Sequence, residues 1–462
     1  MQFVKKIQTV IFAFILGLCL MGCTYAGKTD VSDRTDGKPA TTAVNTSEEP
    51  SSDVGMKSEN DVYASADQII QPQTEDDLQE NVPETGNTAN TANAANTSGD
   101  GDSLTADSTG EDTDEPEENT DPEVTIYMVG DILLHTPIEE ASKRDDGSYD
   151  YSHIFDETRD LIREADISLV NQEVIIGGSE LGISGYPAFN ASYEIGDALA
   201  DAGFDVVLHA TNHVLDKGAR GVENCYSYWE NAHPEIEVLG IHDSFEDKSQ
   251  ISLLTVNDIT IAFLNYTYGT NGIEVPSDKQ YIVDILYEET VLEDLARAEE
   301  MADFTVVCPH WGTEYRLSPD SYQEKWAKKL AQGGADLVIG THPHVIEPVE
   351  WVDDTLVYYS LGNFVNWTSG TGPGTANRML GGMAEITIGK DPSGKAYIKE
   401  YGVEPLVTDL HDGPDGVTVY RLEDYSEDMA DENAIRRQDP EFSYRYLNDL
   451  CDEVWGDLWK KP

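Results

Sequence analysis

Two stretches of this chain predict its fold: residues 124–135, VTIYMVGDILLH, and residues 337–344, LVIGTHPH. Each begins with a run of β-branched and other apolar residues, which is typical of a buried strand. The first run is followed by Asp131 and His135, and the second is followed by two histidines. Ligands gathered from several strand ends make a metal centre far more readily than ligands scattered over a surface. The two stretches therefore predict a metal site on an α/β scaffold.

Four further motifs also follow apolar runs. Three of them supply the remaining candidate ligands, which are Glu173, Asn212 and His310. The fourth, residues 360–364 with the sequence SLGNF, supplies Asn363, which either reaches the site or caps the loop. Carboxylate, amide and imidazole ligands together suit a divalent ion, and Mn, Fe and Zn all stay open as its identity.

His342 and His344 form the sharpest of the six motifs. In an extended backbone, residues i and i+2 face the same side, and Pro343 favours an extended conformation at the residue before it. Two imidazoles placed in this way reach two adjacent ions. Two ions about 3.5–4 Å apart lower the pKa of a shared water and clamp the oxygens of a displacement, which predicts hydrolysis.

A histidine that need not bind metal follows the candidate ligand Asn212. This residue is His213, and Asp216 lies three residues beyond it, one helical turn away if a helix begins here. The spacing predicts that Asp216 orients His213 and holds it protonated. His213 then protonates the leaving group as a general acid. For His209 we favour a structural interpretation, a buried strand histidine with a hydrogen-bond partner.

The remaining pattern from residue 124 onward alternates between strands and helices, which predicts an α/β fold. Residues 251–256 and 259–265 read as a hairpin. Helical spacing is predicted over residues 154–165, 195–202, 221–231, 290–301 and 322–332. We place a folded domain at residues 123–410 and a C-terminal extension with a terminal helix at residues 411–462.

The start of the chain has the pattern of a processing signal. Residues 1–22 combine a basic beginning with an apolar run, and Leu20-Met21-Gly22-Cys23 fits the lipobox of a bacterial lipoprotein. Cleavage before Cys23 would leave that cysteine N-terminal and lipidated. An ordinary secretory signal and an uncleaved anchor are the alternatives. The pattern predicts a membrane lipid anchor on the extracellular face of a bacterial cell.

Residues 23–122 are predicted to be a disordered acidic linker. From residue 24 onward this segment carries 24 acidic residues against 4 basic ones, so it cannot bury enough apolar surface to offset its ordering entropy. Roughly 100 such residues reach about 50–60 Å, enough to carry a domain into the cell wall. The whole chain has 88 acidic residues, 29 Lys and Arg, and a formal charge of −59. That charge excludes a nucleic-acid partner.

Three cysteines follow the signal. Cys308 lies inside an apolar run and is predicted to be a buried thiol. The sequence leaves open whether Cys225 and Cys451 pair, because three widely spaced cysteines give no disulfide framework.

Taken in this order, the six motifs resemble those of the CapA-type capsule synthesis proteins, which are associated with bacterial poly-γ-glutamate and similar to calcineurin-like metallophosphatases. The resemblance covers residues 124–365 well and the sheet to about residue 410 loosely. It implies a four-layer α/β/β/α metallophosphatase-like sandwich of two sheets flanked by helices. It implies two divalent metal ions, one surrounded by Asp131, His135, Glu173 and His344 and the other by Glu173, Asn212, His310 and His342.

The first two motifs depart from the superfamily pattern. The superfamily usually has Asp-x-His at the first motif, whereas His135 lies four residues after Asp131. Glu173 also stands where the bridging residue is usually Asp. Both departures bear on the metal geometry and on the reaction type.

The resemblance implies a surface-anchored, metal-dependent hydrolase-like protein of poly-γ-glutamate capsule synthesis or export. Its substrate would be an anionic polymer or a phosphoester. Two alternatives stay open: a non-catalytic assembly or binding component of a capsule export complex, and a general metal-dependent phosphodiesterase or phosphatase.

The charge of the chain gives a first prediction. A protein of charge −59 repels a polyglutamate chain at long range, so any recognition must be local, and added salt should strengthen binding by screening the repulsion. Binding of the polymer measured against ionic strength tests this expectation. Affinity that falls as salt rises would contradict it.

Overall fold

The computed structural model describes residues 122–412 and 415–460. The predicted signal peptide, Cys23 and the predicted acidic linker lie outside the described residues, apart from the linker's last position. Among the helices that the structure describes, none is long and apolar enough to span a bilayer.

Within residues 122–412 and 415–460, fourteen strands form two sheets. The strands are β1 Glu123–Ile132, β2 Ile167–Asn171, β3 Val206–Leu208, β4 Glu237–Leu239, β5 Ser252–Val256, β6 Ile259–Thr267, β7 Phe304–His310, β8 Leu337–Ile339, β9 Val349–Val352, β10 Thr355–Tyr358, β11 Asn363–Val365, β12 Leu380–Lys390, β13 Ala396–Leu410 and β14 Val417–Arg421.

Each sheet combines parallel and antiparallel strands: the larger sheet is parallel in one half and antiparallel in the other, and the smaller sheet has a parallel centre with antiparallel edges. The larger sheet has the order β14-β13-β12-β1-β2-β3-β4, with β11 pairing beside β1. In it β1 to β4 run parallel, and β12 to β14 are antiparallel. The smaller sheet has the order β5-β6-β7-β8-β10-β9, in which β6, β7, β8 and β10 run parallel. The carboxyl ends of parallel strands collect at one edge, which is where side chains from distant motifs meet.

In the described part of the chain, seven α-helices lie between strands and two follow the last strand. They are α1 Thr136–Ser142, α2 Arg159–Ile162, α3 Glu194–Ala202, α4 Gly218–Ala232, α5 Phe245–Lys248, α6 Glu288–Met301, α7 Ser321–Gly333, α8 Glu427–Glu432 and α9 Tyr444–Trp455. Short 3-10 helices lie at Ser152–Phe155, Ser179–Leu181, Thr375–Met379, Leu422–Asp424 and Ala434–Arg437.

The sheets pack face to face and carry helices on their outer faces. The sulfur of Cys308 on β7 lies 3.8 Å from that of Met128 on β1, across the space between the sheets. Helices α6 and α7 bury Val291, Leu295 and Leu330 against the smaller sheet in a separate apolar cluster. Helices α3 and α4 join the main core on the side of the larger sheet. The predicted four-layer α/β/β/α architecture is therefore confirmed.

The buried polar residues and thiols of the larger sheet follow the sequence interpretation. His209 is buried, and its Nε2 accepts a hydrogen bond of 2.9 Å from the indole of Trp229 on α4, which confirms its structural role. Cys225, Cys308 and Cys451 are all buried free thiols, so Cys225 and Cys451 do not pair.

Local structure follows the sequence patterns in most places. The predicted hairpin turns at Asn257 and Asp258, which both adopt positive φ, and joins β5 to β6. Helix α7 begins with a capping box at Asp320 and ends at Gly334 in the left-handed region. The single helix predicted over residues 154–165 is wrong, because the chain forms a 3-10 turn, bends at Asp156–Thr158, and then makes the short α2.

The C-terminal extension predicted after residue 410 completes the larger sheet. Strand β14 pairs antiparallel with β13 as its outer neighbour. The predicted terminal helix is α9, where Leu447, Leu450 and Cys451 are buried in the main core. The indole of Trp455 donates a hydrogen bond of 3.1 Å to the carbonyl of Glu347, which lies just after the His-Pro-His segment.

A close backbone approach fixes the end of β1. The amide of Asp131 donates to the carbonyl of Gly362 at 3.0 Å, and a Cβ on Gly130 would lie 1.9 Å from that same oxygen. On the other side of β11, a Cβ on Gly381 would lie 2.0 Å from the carbonyl oxygen of Asn363. Glycine at both positions lets three backbones come together and places Asp131 beside Asn363.

This close approach predicts that adding one methyl group at Gly130 destabilises the protein. The added Cβ of Gly130→Ala would collide with backbone atoms, which cannot move aside as a flexible side chain can. The free energy of unfolding should therefore fall by about 3 kcal/mol, as overpacking does. Urea denaturation of the full-length protein measures the change. Gly269→Ala is the matched control, because nothing lies within 4 Å of a Cβ there. Equal stability of the two variants would contradict the close approach.

Candidate metal centre

The predicted ligands meet where the parallel strands of both sheets end. Asp131 lies in β1, Glu173 and Asn212 follow β2 and β3, His310 ends β7, and His342 and His344 follow β8. Each of these six side chains is at most 4% exposed. At that burial water cannot satisfy their polar atoms, so each atom needs a partner from the protein or from a bound ion.

Glu173 lies at the middle of the cluster. Its Oε1 is 3.7 Å from Nε2 of His344 on one side and 3.8 Å from Nε2 of His310 on the other. Neither carboxylate oxygen of Glu173 has a hydrogen-bond partner, and neither has Nδ1 of the buried His342. Ligand atoms of Glu173, His342 and His344 all lie within 4.8 Å of one another.

The hydrogen bonds of His344 indicate which of its ring nitrogens carries the hydrogen and which has the lone pair that can bind a metal ion. Its Nδ1 lies 3.1 Å from Oδ2 of Asp131 and 3.1 Å from Oδ1 of Asn363. The amide nitrogen of Asn363 donates to the carbonyls of His344 and Arg378 at 2.9 and 3.0 Å, so Oδ1 is the atom turned to the imidazole. Two acceptors at Nδ1 require the hydrogen there, which leaves Nε2 as the ligand atom.

His310 and Asn212 form the second half of the cluster. Nδ1 of His310 lies 2.9 Å from the hydroxyl of Thr341, and Nε2 lies 3.1 Å from Oδ1 of Asn212. The amide nitrogen of Asn212 donates to Oδ1 of Asn271 at 3.3 Å, which turns its oxygen toward the imidazole. An imidazole nitrogen and an amide oxygen that converge beside Glu173 make a suitable N/O ligand pair.

Asp131 and His135 stand at the edge of this group. Asp131 accepts a hydrogen bond of 2.8 Å from Asn171 and, at its other oxygen, contacts His344, so it orients that imidazole. His135 caps α1 and packs edge-on against Phe189 with ring centroids 5.1 Å apart. Direct metal ligation by Asp131 and His135, like that by the other predicted ligands, stays a prediction.

The backbone of the His-Pro-His segment differs from the expectation. His342 has φ of +100° and His344 has φ of +58°, so neither residue is extended as predicted. The two rings nevertheless lie on the same side, with centroids 5.8 Å apart. Non-glycine residues in this region carry strain, which the packing of Tyr268 against the ring of His342 at 4.8 Å helps to hold.

Burial and mutual charge set the protonation of the cluster. Burial lowers the pKa of His310 and His342 well below the ordinary value, and nearby histidines lower it further. Burial alone would lower the pKa of His344, but the charge of Glu173 and the hydrogen bond to Asp131 raise it to about 10. Burial raises the pKa of Glu173 well above the usual range, partly offset by the charge of His344.

These observations fit a bound divalent cation. A buried carboxylate without hydrogen-bond donors and a buried imidazole nitrogen without a partner are costly in an apolar interior. Bound cations would satisfy Glu173, His342 and His344. The mixed nitrogen and oxygen atoms suit Mn, Fe or Zn.

The second predicted pair lies next to the cluster. Nδ1 of His213 is 2.7 Å from Oδ2 of Asp216, as the spacing predicted, and that same oxygen accepts a hydrogen bond of 2.7 Å from the amide of Phe189. The ring of Phe189 packs edge-on against His213 at 4.7 Å. Carboxylate and ring together fix the orientation of the imidazole.

Three side chains of the site were missed by the sequence interpretation. Tyr268 and Asn271 follow β6, and their position after a strand was the signal that could have found them. Asn271 reaches both Asn212 and His213, with its amide nitrogen 3.3 Å from Nδ1 of His213. Arg378 lies in a 3-10 helix after a glycine-rich segment, and nothing in its sequence neighbourhood indicates a site.

A model of a known protein family matches the part of the chain that contains the cluster. The family model of the bacterial capsule synthesis protein PGA_cap matches residues 125–368, just over half of the chain. That range contains every predicted metal ligand and the His213–Asp216 pair.

Two curated relatives are similar over part of their length. The PGA biosynthesis protein CapA of Bacillus subtilis is 35% identical over 184 residues, covering 37% of this chain and 45% of that protein. The capsule biosynthesis protein CapA of Bacillus anthracis is 28% identical over 263 residues, covering 53% and 61%. The chain thus spans less than two thirds of either relative.

Solved structures are similar at low sequence identity. The calcineurin-like phosphoesterase YfkN of Bacillus subtilis gives a TM-score of 0.39 at 12% identity, covering 71% of this chain and 100% of that chain. The NAD nucleotidase NadN of Haemophilus influenzae gives 0.38 at 12% identity, covering 62% and 58%.

Proton release on metal binding follows from the pKa of His344. Because that pKa is about 10 without metal, the imidazole is protonated at pH 7.5 and must lose the Nε2 proton to bind an ion. We expect Mn²⁺ to release at least one proton per chain, and affinity to rise with pH up to about 10. Calorimetric titration of metal-free protein in PIPES and in Tris measures the released protons.

The matched variants are His344→Ala and His233→Ala. His233 is a surface histidine that pairs with Asp197 at 2.8 Å. Only His344→Ala should weaken Mn²⁺ binding, by more than about tenfold. Identical heats in the two buffers would contradict the predicted proton release.

Proposed function

The chain belongs to the bacterial capsule synthesis protein family PGA_cap, and from that premise we propose that it is a surface-anchored, metal-dependent hydrolase that cleaves poly-γ-glutamate during capsule synthesis or export. The single observation that carries the hydrolytic part is the buried Glu173 carboxylate, which lies without hydrogen-bond partners between the imidazoles of His310 and His344. The names of the Bacillus relatives support the capsule process.

Two divalent ions are proposed, and Glu173 would help to hold both. His344 and Asp131 lie on one side of that carboxylate, and His310 and Asn212 lie on the other. His135 would complete the first set and His342 the second. When bound, the ions would supply Lewis-acid activation of water and of the group under attack.

His213 is proposed to protonate the leaving group. Asp216 accepts the hydrogen at Nδ1, so it fixes the tautomer of the imidazole. That arrangement leaves Nε2 as the atom that carries the transferable proton. Asn271 and Phe189 hold the ring from two sides and limit its rotation during the transfer.

Anchoring is proposed through lipidation at Cys23 and through the acidic linker. A lipid-attached domain on a linker of roughly 100 residues would work about 50–60 Å from the membrane, where an exported polymer passes. This position brings the domain to the substrate without any long-range attraction for it.

The catalytic role of His213 predicts a separation of chemistry from metal binding. His213→Gln should lower kcat by about 10²- to 10⁴-fold and leave the metal content unchanged. The assay uses full-length protein with Mn²⁺ and γ-linked polyglutamate, and follows chain length by size-exclusion chromatography with light scattering. His233→Gln, which changes a surface histidine paired with Asp197, should keep full activity.

Complementation of a capsule-deficient strain distinguishes a catalyst from a non-catalytic export component. Under the proposal, His233→Gln restores the capsule and His213→Gln does not. Full rescue by both His213→Gln and the double variant His342→Ala plus His344→Ala would exclude catalysis. It would support the assembly role instead.

A further inference from the structure

Arg378 lies close to the side chains of the candidate metal centre. Arg378 belongs to the 3-10 helix Thr375–Met379, and its guanidinium lies 3.5 Å from the centroid of the Tyr315 ring. The Tyr315 ring lies 6.0 Å from the ring of His344. Arg378 therefore faces the same space as the metal-site histidines.

Backbone contacts tie Arg378 and Tyr315 to the metal ligands. The carbonyl of Arg378 accepts a hydrogen bond of 3.0 Å from the amide of Asn363, the residue that also contacts His344. The amide of Tyr315 donates to the carbonyl of Pro343 at 2.8 Å, and Tyr315 adopts φ of +65°. The His-Pro-His segment therefore positions Tyr315, and strand β11 positions Arg378.

The C-terminal extension holds the segment that carries Arg378. Gln438 donates from its side chain to the carbonyl of Thr368 at 2.9 Å and accepts at its own carbonyl from Gly372 at 3.0 Å. Asp439 accepts a hydrogen bond of 3.1 Å from the amide of Ala376. These contacts fix the glycine-rich segment without using the guanidinium.

Within the described residues, no Asp or Glu forms an ion pair with Arg378, a property that it shares with Arg163, Arg220 and Arg316, whereas Arg421, Arg436 and Arg437 each pair with at least one. Its Nη1 donates to the hydroxyl of Thr368 at 2.8 Å, and its buried Nε has no hydrogen-bond partner. A partly buried arginine with unused donors beside a metal centre is arranged to receive an anion.

We propose that Arg378, stacked on Tyr315, forms a subsite for a carboxylate of the substrate that is not the reacting group. The inference rests on the proposed function, because a γ-linked glutamate chain carries a free α-carboxylate on every residue. The guanidinium stacks with one face on the ring and keeps its edge for a planar oxyanion. This subsite is the local attraction by which a strongly acidic protein holds an acidic polymer.

The test measures binding rather than turnover. Full-length protein in detergent, loaded with Mn²⁺ and carrying His213→Gln to keep the ligand intact, is titrated calorimetrically with γ-linked hexaglutamate. Adding Arg378→Gln should raise the Kd by roughly 10- to 100-fold, the expected loss for charge-assisted hydrogen bonds. Arg378→Lys should give an intermediate value, because it keeps the charge and loses the fork.

Three controls isolate the subsite. Arg445→Gln removes the same charge from an exposed position on α9, where the side chain is 87% exposed, and should leave the Kd unchanged. A hexamer with its α-carboxylates amidated should bind weakly and equally to all variants. Thermal unfolding and metal content should match across the set, which excludes misfolding as a cause.

Two results would overturn the proposal. One is an equal or unmeasurable affinity for hexaglutamate with and without Arg378. The other is an effect of Arg378→Gln on orthophosphate binding alone, which would assign the arginine to phosphate. A third result separates the two proposals. If binding of hexaglutamate depends on Arg378 but the protein with native His213 does not cleave the polymer, the proposed hydrolysis is refuted and the proposed subsite is still supported.

Discussion

A buried carboxylate that no hydrogen-bond donor satisfies is the constraint on which the rest of this structure depends. Glu173 is 1% exposed, and both of its oxygens lack partners. An isolated ion in such a place costs several kcal/mol even after relaxation, on the order of a sizeable share of a domain's stability. The histidines on either side of it are explained if a cation compensates this cost. The orientation of His344 agrees with a bound cation, because its Nε2 faces the Glu173 carboxylate.

The fold brings the side chains of the candidate metal centre together from distant parts of the chain. Parallel strands at the centre of both sheets end at the same place, so each sheet supplies ligands to the shared cluster. Glycine at 130 and 381 lets the backbones beside β11 approach closely enough to set Asp131 next to Asn363. Positive φ at His342 and His344 stores local strain in the same region, and the surrounding packing of two sheets and a C-terminal helix holds it in place.

Much of this arrangement could be predicted from the sequence, because each ligand follows an apolar run and strand ends converge. The hairpin at Asn257-Asp258 and the end of α7 at Gly334 were predictable from turn chemistry alone. The helix over residues 154–165 was not, since its apolar spacing is kept by two short helical pieces separated by a bend. Strands β4 and β9 were missed because these short edge strands have half-exposed side chains and lack an apolar run.

The remaining site residues could not be predicted because tertiary structure alone delivers them. Arg378 is placed beside the metal site by the contacts of residues 438 and 439 with its segment and by the hydrogen bond from Asn363 to its carbonyl. The prediction that the two rings of the His-Pro-His segment lie on the same side is correct, but the predicted backbone conformation is wrong. His342 and His344 have positive φ and are not extended. Local pattern therefore identifies ligand types well, and it leaves their exact geometry to the fold.

Anomalous X-ray scattering from crystals of the manganese-loaded protein tests the central claim most directly. The account predicts anomalous peaks within coordination distance of the Glu173 carboxylate, with the imidazoles of His310, His342 and His344 turned toward them. Crystals that show no such peak at Glu173, with these imidazoles hydrogen-bonded elsewhere, would contradict it.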